Sequence, residues 1–269
     1  MGFGAEGGRS LSVPLLVLQH ERFKLPKNAR RLGPKRWAGR GLDHIPTSWY
    51  SRTRMSRTPI NEPGPGTREK LLQAAIHLVR RHGFAGTTVD DICWEAGVTK
   101  GAFFHCFPNK EAMGTEAARF WSNWTGGLFE TAAYHDHPDP LQRVLSYLDL
   151  RESLLEGPLE AFTCFAGTTV QECFASSESI RTACADSITG HAATLESDFE
   201  FALERRGGIE GVTGASLALH TQAVLQGAFV LAKATGGAGI VHESIAHLRR
   251  YLIQLLGPEE DSSRGSENV

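Results

Sequence analysis

Several chemistries are missing from this chain. Its five cysteines, Cys93, Cys106, Cys164, Cys173 and Cys184, are scattered, and no two form a C-x-x-C pair. That spacing indicates neither a zinc knuckle nor a disulfide framework, and a reduced, cytoplasmic setting is the expectation. No apolar run approaches the ~20 residues of a membrane helix. Val13 to Leu18 is shorter than a signal-peptide core of about 7–15 residues. The Arg30-Arg31 pair has no apolar stretch behind it, so no export signal is read. Alternating strand patterns and internal repeats are absent. His135-Asp136-His137 is the nearest thing to a metal-ligating cluster, and such a trio in a Pro-flanked loop is more often solvated. No nucleophile–base pair is recognisable. An enzyme, a membrane protein, a metal site and a cofactor are therefore not expected.

Positive charge is scarce over most of the chain. The formal net charge is −2, but it divides unevenly. Residues 1–58 hold twelve Lys/Arg against three Asp/Glu, and residues 59–110 hold six against five. Residues 111–269 hold ten against twenty-two. A basic end on an acidic body fits a nucleic-acid partner. A solvated, disordered extension fits residues 1–58 better, because Gly, Pro, Arg and Lys mix there without periodicity. Met55, just ahead of the first strong helix, is a candidate true start, which would make the upstream segment a mis-assigned extension. Residues 258–269 read as a disordered tail.

Helical periodicity begins after the breaker Asn61 to Gly66. Thr67 is a candidate cap, and Leu71, Leu72, Ala75, Ile76 and Val79 make one apolar face. Thr88 caps a short helix over Val89–Ala96 that Gly97 stops, since glycine takes positive φ cheaply. Val98 is placed inside the turn. Thr99 caps a third helix ending near Cys106, with Phe103 on its inner side. Asn109 caps a long fourth helix. Further helices are expected over Leu141–Leu155, Leu159–Phe174, Ser179–Arg206, Val212–Ala234 and Val241–Leu256. The fold class is all-α: a three-helix head over 59–110 with a helix-turn-helix pattern, then a run of helices over 111–257 that the family resemblance given below makes an α-helical ligand-binding and dimerisation domain.

Helix, glycine turn, helix is the arrangement that places its second helix in the DNA major groove. Small residues at Gly101 and Ala102 let the helix approach base edges, and a methyl meets a thymine methyl. Thr99, Lys100, Ala102, Phe104 and His105 face outward. Thr88, Thr99 and Lys110 suit phosphate contacts from hydroxyls, helix N-termini and an ammonium.

Thr67 to Lys110 resembles the N-terminal domain of the TetR family of bacterial transcriptional regulators. The resemblance rests on Arg68, Ala74-Ala75, Gly83-Phe84, Thr87-Thr88-Val89, Ile92, Ala96 to Gly101, and Phe104 to Glu111. It extends the expected DNA-contacting set to Arg68 and Thr87. Cys93 stands where the family usually has Ala, and Phe104 where Tyr is usual, so a tyrosine hydroxyl contact to phosphate would be missing. The resemblance implies a homodimer, double-stranded operator DNA as partner, and a pocket in the C-terminal part whose small-molecule inducer releases the operator.

In the C-terminal part, Ser216, His220, Ala223, Gly227, Val230 and Ala234 form a small-residue stripe that allows close helix approach. Ile245, Leu248, Leu252 and Leu255 line one face of the last helix. Both stripes fit a dimer interface or an intramolecular core. Trp121, Trp124, Phe129, Phe162, Phe165 and Phe174 are candidate pocket walls, although helical aromatics are more often plain core. Glu160 to Glu172 faintly resembles the region of TetR-type repressors that respond to electrophiles or oxidants, which makes Cys164 a candidate sensor. The counter-reading is that Cys164, Cys173 and Cys184 are small buried hydrophobes; nearby cations are scarce in sequence. Cys106, on the recognition helix, is a second candidate. The leading expectation is a ligand-responsive repressor; the alternatives are a non-specific nucleic-acid binder working through its basic tail and an all-α enzyme.

Overall fold

The computed structural model describes residues 66–257. The expectations for residues 1–58, for a start at Met55 and for the tail 258–269 lie outside the described residues. Every regular element described is helical: α1 Thr67–His82, α2 Val89–Ala96, α3 Lys100–Cys106, α4 Lys110–Glu130, α5 Pro140–Ser153, α6 Leu159–Phe162, α7 Phe165–Cys173, α8 Glu178–Ala193, α9 Glu196–Arg205, α10 Gly214–Thr235 and α11 Gly239–Leu256. A 3₁₀ turn covers Ala133–Asp136, where a loop was expected. His135 there is held by the Phe129 carbonyl at 3.0 Å.

Capping explains the boundaries of the first four helices. Thr88 forms a capping box with Asp91, and Gly97 stops α2 at φ 66°. Thr99 accepts from the Ala102 N–H and Asn109 from the Ala112 N–H, which starts α3 and α4. Thr67 is the first helical residue rather than the cap. Val98 is half-buried rather than enclosed.

Two expected long helices are broken. Leu159–Phe174 splits at Thr163 and Cys164, both extended, with the Cys164 sulfur accepting the Gly167 N–H at 3.3 Å as the cap of α7. Ser179–Arg206 splits at Thr194 and Leu195, where a kink drops Leu195 fully into the core. Neither break contains glycine or proline.

Two apolar clusters result. The first joins the inner faces of α1–α3 to Met113, Ala117 and Trp121 of α4, and to Phe165, Cys173, Ile180 and Cys184 of α7 and α8. It therefore runs across residue 110 without interruption. The second gathers Phe129, Tyr147, Phe199, Leu225 and Phe229 with the buried face of α11. Helix α10 is long and apolar enough to cross a membrane by length and composition. It packs instead on α8, α9 and α11, with Thr221 and Gln222 among its buried residues.

Candidate nucleic-acid interface and ligand cavity

The head presents α3 outward. Thr99, Lys100, Gly101, Phe104 and His105 are exposed and Ala102 is half-exposed, while Phe103 on the opposite side is fully buried. Phe104 is 51% exposed and Trp94 of α2 is 67% exposed. Trp94 was missed because an aromatic in a short amphipathic helix reads as core. Lys100 pairs with Asp90 at 2.9 Å, an exposed pair whose contribution is at most about 1 kcal/mol, so Lys100 is free to move to another anion.

Three expected DNA-contacting residues have structural work in the chain. Thr87 is only 1% exposed, and its hydroxyl donates to the Gly83 carbonyl at 2.7 Å, so it has no surface for a phosphate. Lys110 turns inward: its Nζ donates to the Phe84 carbonyl at 2.5 Å and lies 4.4 Å from the Phe84 ring centre, and burial lowers its pKa. Arg68 donates to the Cys106 carbonyl at 2.7 Å, pairs with Glu116 and covers the Phe107 ring. It ties α1 to the end of α3.

Besides the Arg68–Glu116 pair and an Arg81–Glu160 contact at 3.8 Å, two hydrogen-bonded contacts fasten the head to the body. Glu172 of α7 accepts the Phe84 and Ala85 N–H groups at 2.9 and 2.7 Å, satisfying donors just beyond α1. Gly83 makes room for it: φ is 82°, and a Cβ there would lie 2.4 Å from a Glu172 oxygen. The second fastening is Arg80, whose Nε donates to the Thr163 carbonyl at 2.6 Å while its guanidinium lies 4.7 Å from the Trp121 ring centre. Burial lowers its pKa to about 10, with the charges of Cys164 and Glu160 opposing that shift. Arg80 stays cationic at neutral pH.

Behind Arg80 lies a narrow cavity of about 50 Å³ between α4, α5, α8 and α10, closed by the α6–α7 break. Of the expected ligand-contacting residues, Trp121, Phe129, Phe162 and Cys164 line it. Phe165 does not; it is fully buried core. Trp124 stacks edge-on against Trp121 at 5.5 Å but lies outside the lining, 40% exposed. Phe174 is also exposed, at the end of α7. The polar lining, Arg151, Ser187, His191, Gln222 and Gln226, was not anticipated. Gln222 donates to the Tyr147 hydroxyl at 3.1 Å, which pairs with His191 Nε2 at 3.0 Å. Burial, aided by the Arg151 charge, lowers the His191 pKa to about 3, so the imidazole is neutral. A second, more open depression beside Pro138, Phe201 and Arg205 has no contact with the head.

Cys164 has cations that its sequence neighbourhood lacks. Arg80 and Lys233 arrive from α1 and α10, and the charge of an ionised Cys164 raises the pKa of both. Cys93, Cys173 and Cys184 are buried, and burial raises the pKa of each.

The stripe on α10 is open. Ser216, His220, Ala223, Gly227, Val230 and Ala234 are all exposed, beside Leu219 and Leu231. The expected second stripe is not: Ile245, Leu248 and Leu252 are buried within the chain, and Leu255 is half-buried. Helix α11 instead exposes Tyr251, which meets His220 at 5.4 Å.

A three-helix head with a glycine turn, fastened to a helical body that encloses a cavity, defines a helix-turn-helix architecture. Residues 71–117 match the family model described as bacterial regulatory proteins, tetR family. The HTH-type transcriptional regulator YxaF of Bacillus subtilis is 27% identical over 119 residues, 44% of this chain and 62% of that protein. The HTH-type transcriptional repressor KstR2 of Mycolicibacterium smegmatis is 36% identical over 63 residues, 23% of this chain and 31% of that protein. The chain spans less than two thirds of the length of these curated relatives. The reduced form of E. coli NemR superposes with a TM-score of 0.57 at 25% identity, over 69% of this chain and 96% of that one. Residues 71–117 are therefore a DNA-binding domain of the tetR type, and the fold of the described residues is shared with NemR.

Proposed function

We propose that the protein is a homodimeric transcriptional repressor without catalytic activity. It acts in the cytoplasm, holds a near-palindromic double-stranded DNA operator through two copies of α3, and releases it when a small molecule occupies the cavity. The observation that carries this reading is the connection from cavity to head. Phe162 and Cys164 wall the cavity, Thr163 between them holds Arg80 of α1, and α1 packs on α2 and α3. A ligand that displaces the α6–α7 break moves the base of the head. Lys100 and His105 set base preference, and backbone and hydroxyl groups at the α2 and α3 N-termini hold phosphate. The open small-residue stripe on α10 supports the second protomer.

Cys164 supports a second trigger. It lies at the same break, caps α7 through sulfur and has two cations nearby. Alkylation there would remove the cap and fill the cavity wall.

Fluorescence anisotropy with DNA from just upstream of the gene tests the reading. The full chain should prefer that DNA to a scrambled sequence by roughly 10³-fold or more. Equal affinity for both sequences, abolished by removing residues 1–54, would replace it with non-specific binding through the basic end. Release by a thiol-reactive electrophile in wild type but not in Cys164→Ser would assign the trigger to the thiol.

A further inference from the structure

We infer that the cavity takes a small organic acid, a monocarboxylate with an aromatic or conjugated body, and that Arg151 is its anchor. The inference rests on the cavity being a ligand site and adds the charge and shape of the ligand.

Arg151 reaches the cavity from α5, and its Nε is buried without a hydrogen-bond partner. Among the described residues no carboxylate pairs with it, and the cavity lining contains no Asp or Glu. A donor closed off from water without a partner is costly. Ring faces offset part of that: the guanidinium lies 5.1 Å from the Phe129 ring centre, 5.8 Å from Tyr147 and 5.9 Å from Phe229. Ring faces orient the guanidinium plane but accept few of its five in-plane N–H groups. A carboxylate takes two of them side by side.

The other polar walls fit one negative charge. His191 is neutral, and Arg151 is the one cation among the lining residues. Ser187, 7% exposed and lining the same space, offers a hydroxyl that no described residue engages. Gln226 reaches in because Gly167 has no side chain; a Cβ there would lie 2.0 Å from its amide oxygen. Trp121, Phe162, Ile188 and Phe229 make an apolar slot, and a flat body widens its roughly 50 Å³ by parting the side chains beside the α6–α7 break. A cationic ligand would face Arg151 directly, and a neutral one would offer at most a single uncharged acceptor in place of the paired carboxylate oxygens.

Calorimetry on the full chain at neutral pH, with benzoate and trans-cinnamate against benzamide, cinnamyl alcohol, benzylamine and inorganic phosphate, tests this. The carboxylates should bind at least about tenfold more tightly than the amide or alcohol, the worth of one charge-assisted pair. Benzylamine and phosphate should not compete. Arg151→Met should erase the carboxylate preference while its unliganded Tm holds or rises, because a buried donor without a partner is gone. If that variant does not fold, Arg151→Lys tests the same point: it keeps the charge, loses the fork, and should fall between wild type and no preference. Equal binding of benzoate and benzamide by wild type, no carboxylate binding, or a preference that survives Arg151→Met each overturn the inference. Carboxylate binding through Arg151 with operator affinity unchanged leaves it standing and sinks the regulatory reading. Operator release by the neutral compounds alone does the reverse.

Discussion

Arg80 donates its Nε–H to the Thr163 carbonyl over 2.6 Å, joining the last turn of α1 to the break between α6 and α7. The bond links the cavity wall to the head. Arg80→Met orphans that carbonyl and should lower stability by about 1–3 kcal/mol in urea titrations. It should also shrink the ratio of operator affinities without and with ligand, which for coupled sites is typically about 5–150-fold. An unchanged ratio would place the coupling elsewhere.

Gly83 and Glu172 form the other fastening. Gly83→Ala forces a side chain into positive φ and against the carboxylate, and should cost about 1–3 kcal/mol. Glu172→Ala relieves the clash but leaves two N–H groups without their partner. The double variant should therefore be more stable than the sum of the single losses predicts. Additive losses would show that the two residues do not meet.

His191 makes stability depend on acid. Its pKa is about 3 in the fold, against an ordinary value of 6.5. Between those values the unfolded chain binds the extra proton, so stability is complete above pH 6.5 and declines as pH falls toward 3. The loss should reach about 3 kcal/mol by pH 4. His191→Gln should flatten that part of the urea-stability profile; a profile unchanged by the substitution would show that the imidazole is not held neutral.

Gly227 sits in the open α10 stripe with nothing within 4 Å of a Cβ position, so a larger side chain does not disturb the isolated chain. Gly227→Trp should convert a dimer into a 29.3 kDa monomer in light scattering, with helical content unchanged. A dimer that persists would move the interface off this stripe.

On α3, Ala102→Leu enlarges a half-exposed position beside Gly101. Specific operator binding should fall at least about tenfold, the worth of one good base contact, with Tm nearly unchanged. Lys110→Ala should instead lower Tm, because its ammonium holds the Phe84 carbonyl.

What could be read from the sequence followed local rules. Thr88, Gly97, Thr99 and Asn109 mark their helix ends because cap chemistry is written within a few residues. The Thr163–Cys164 break was hidden because cysteine is not a usual cap and no glycine or proline flags it. Arg151, His191 and Gln222 were hidden because they meet across more than thirty positions, and a lone arginine on an amphipathic helix reads as solvent-facing. The face of α11 shows the limit of periodicity: Ile245, Leu248 and Leu252 declare a buried stripe but not whose surface buries it.

The apolar cluster that crosses residue 110 bears on portability. Phe103, Met113, Phe165, Cys173 and Ile180 share one interior. A graft of residues 67–110 onto a different helical body would leave that interior half built. A chimera that keeps its operator preference should need the first half of α4, α7 and the start of α8 to travel with the head.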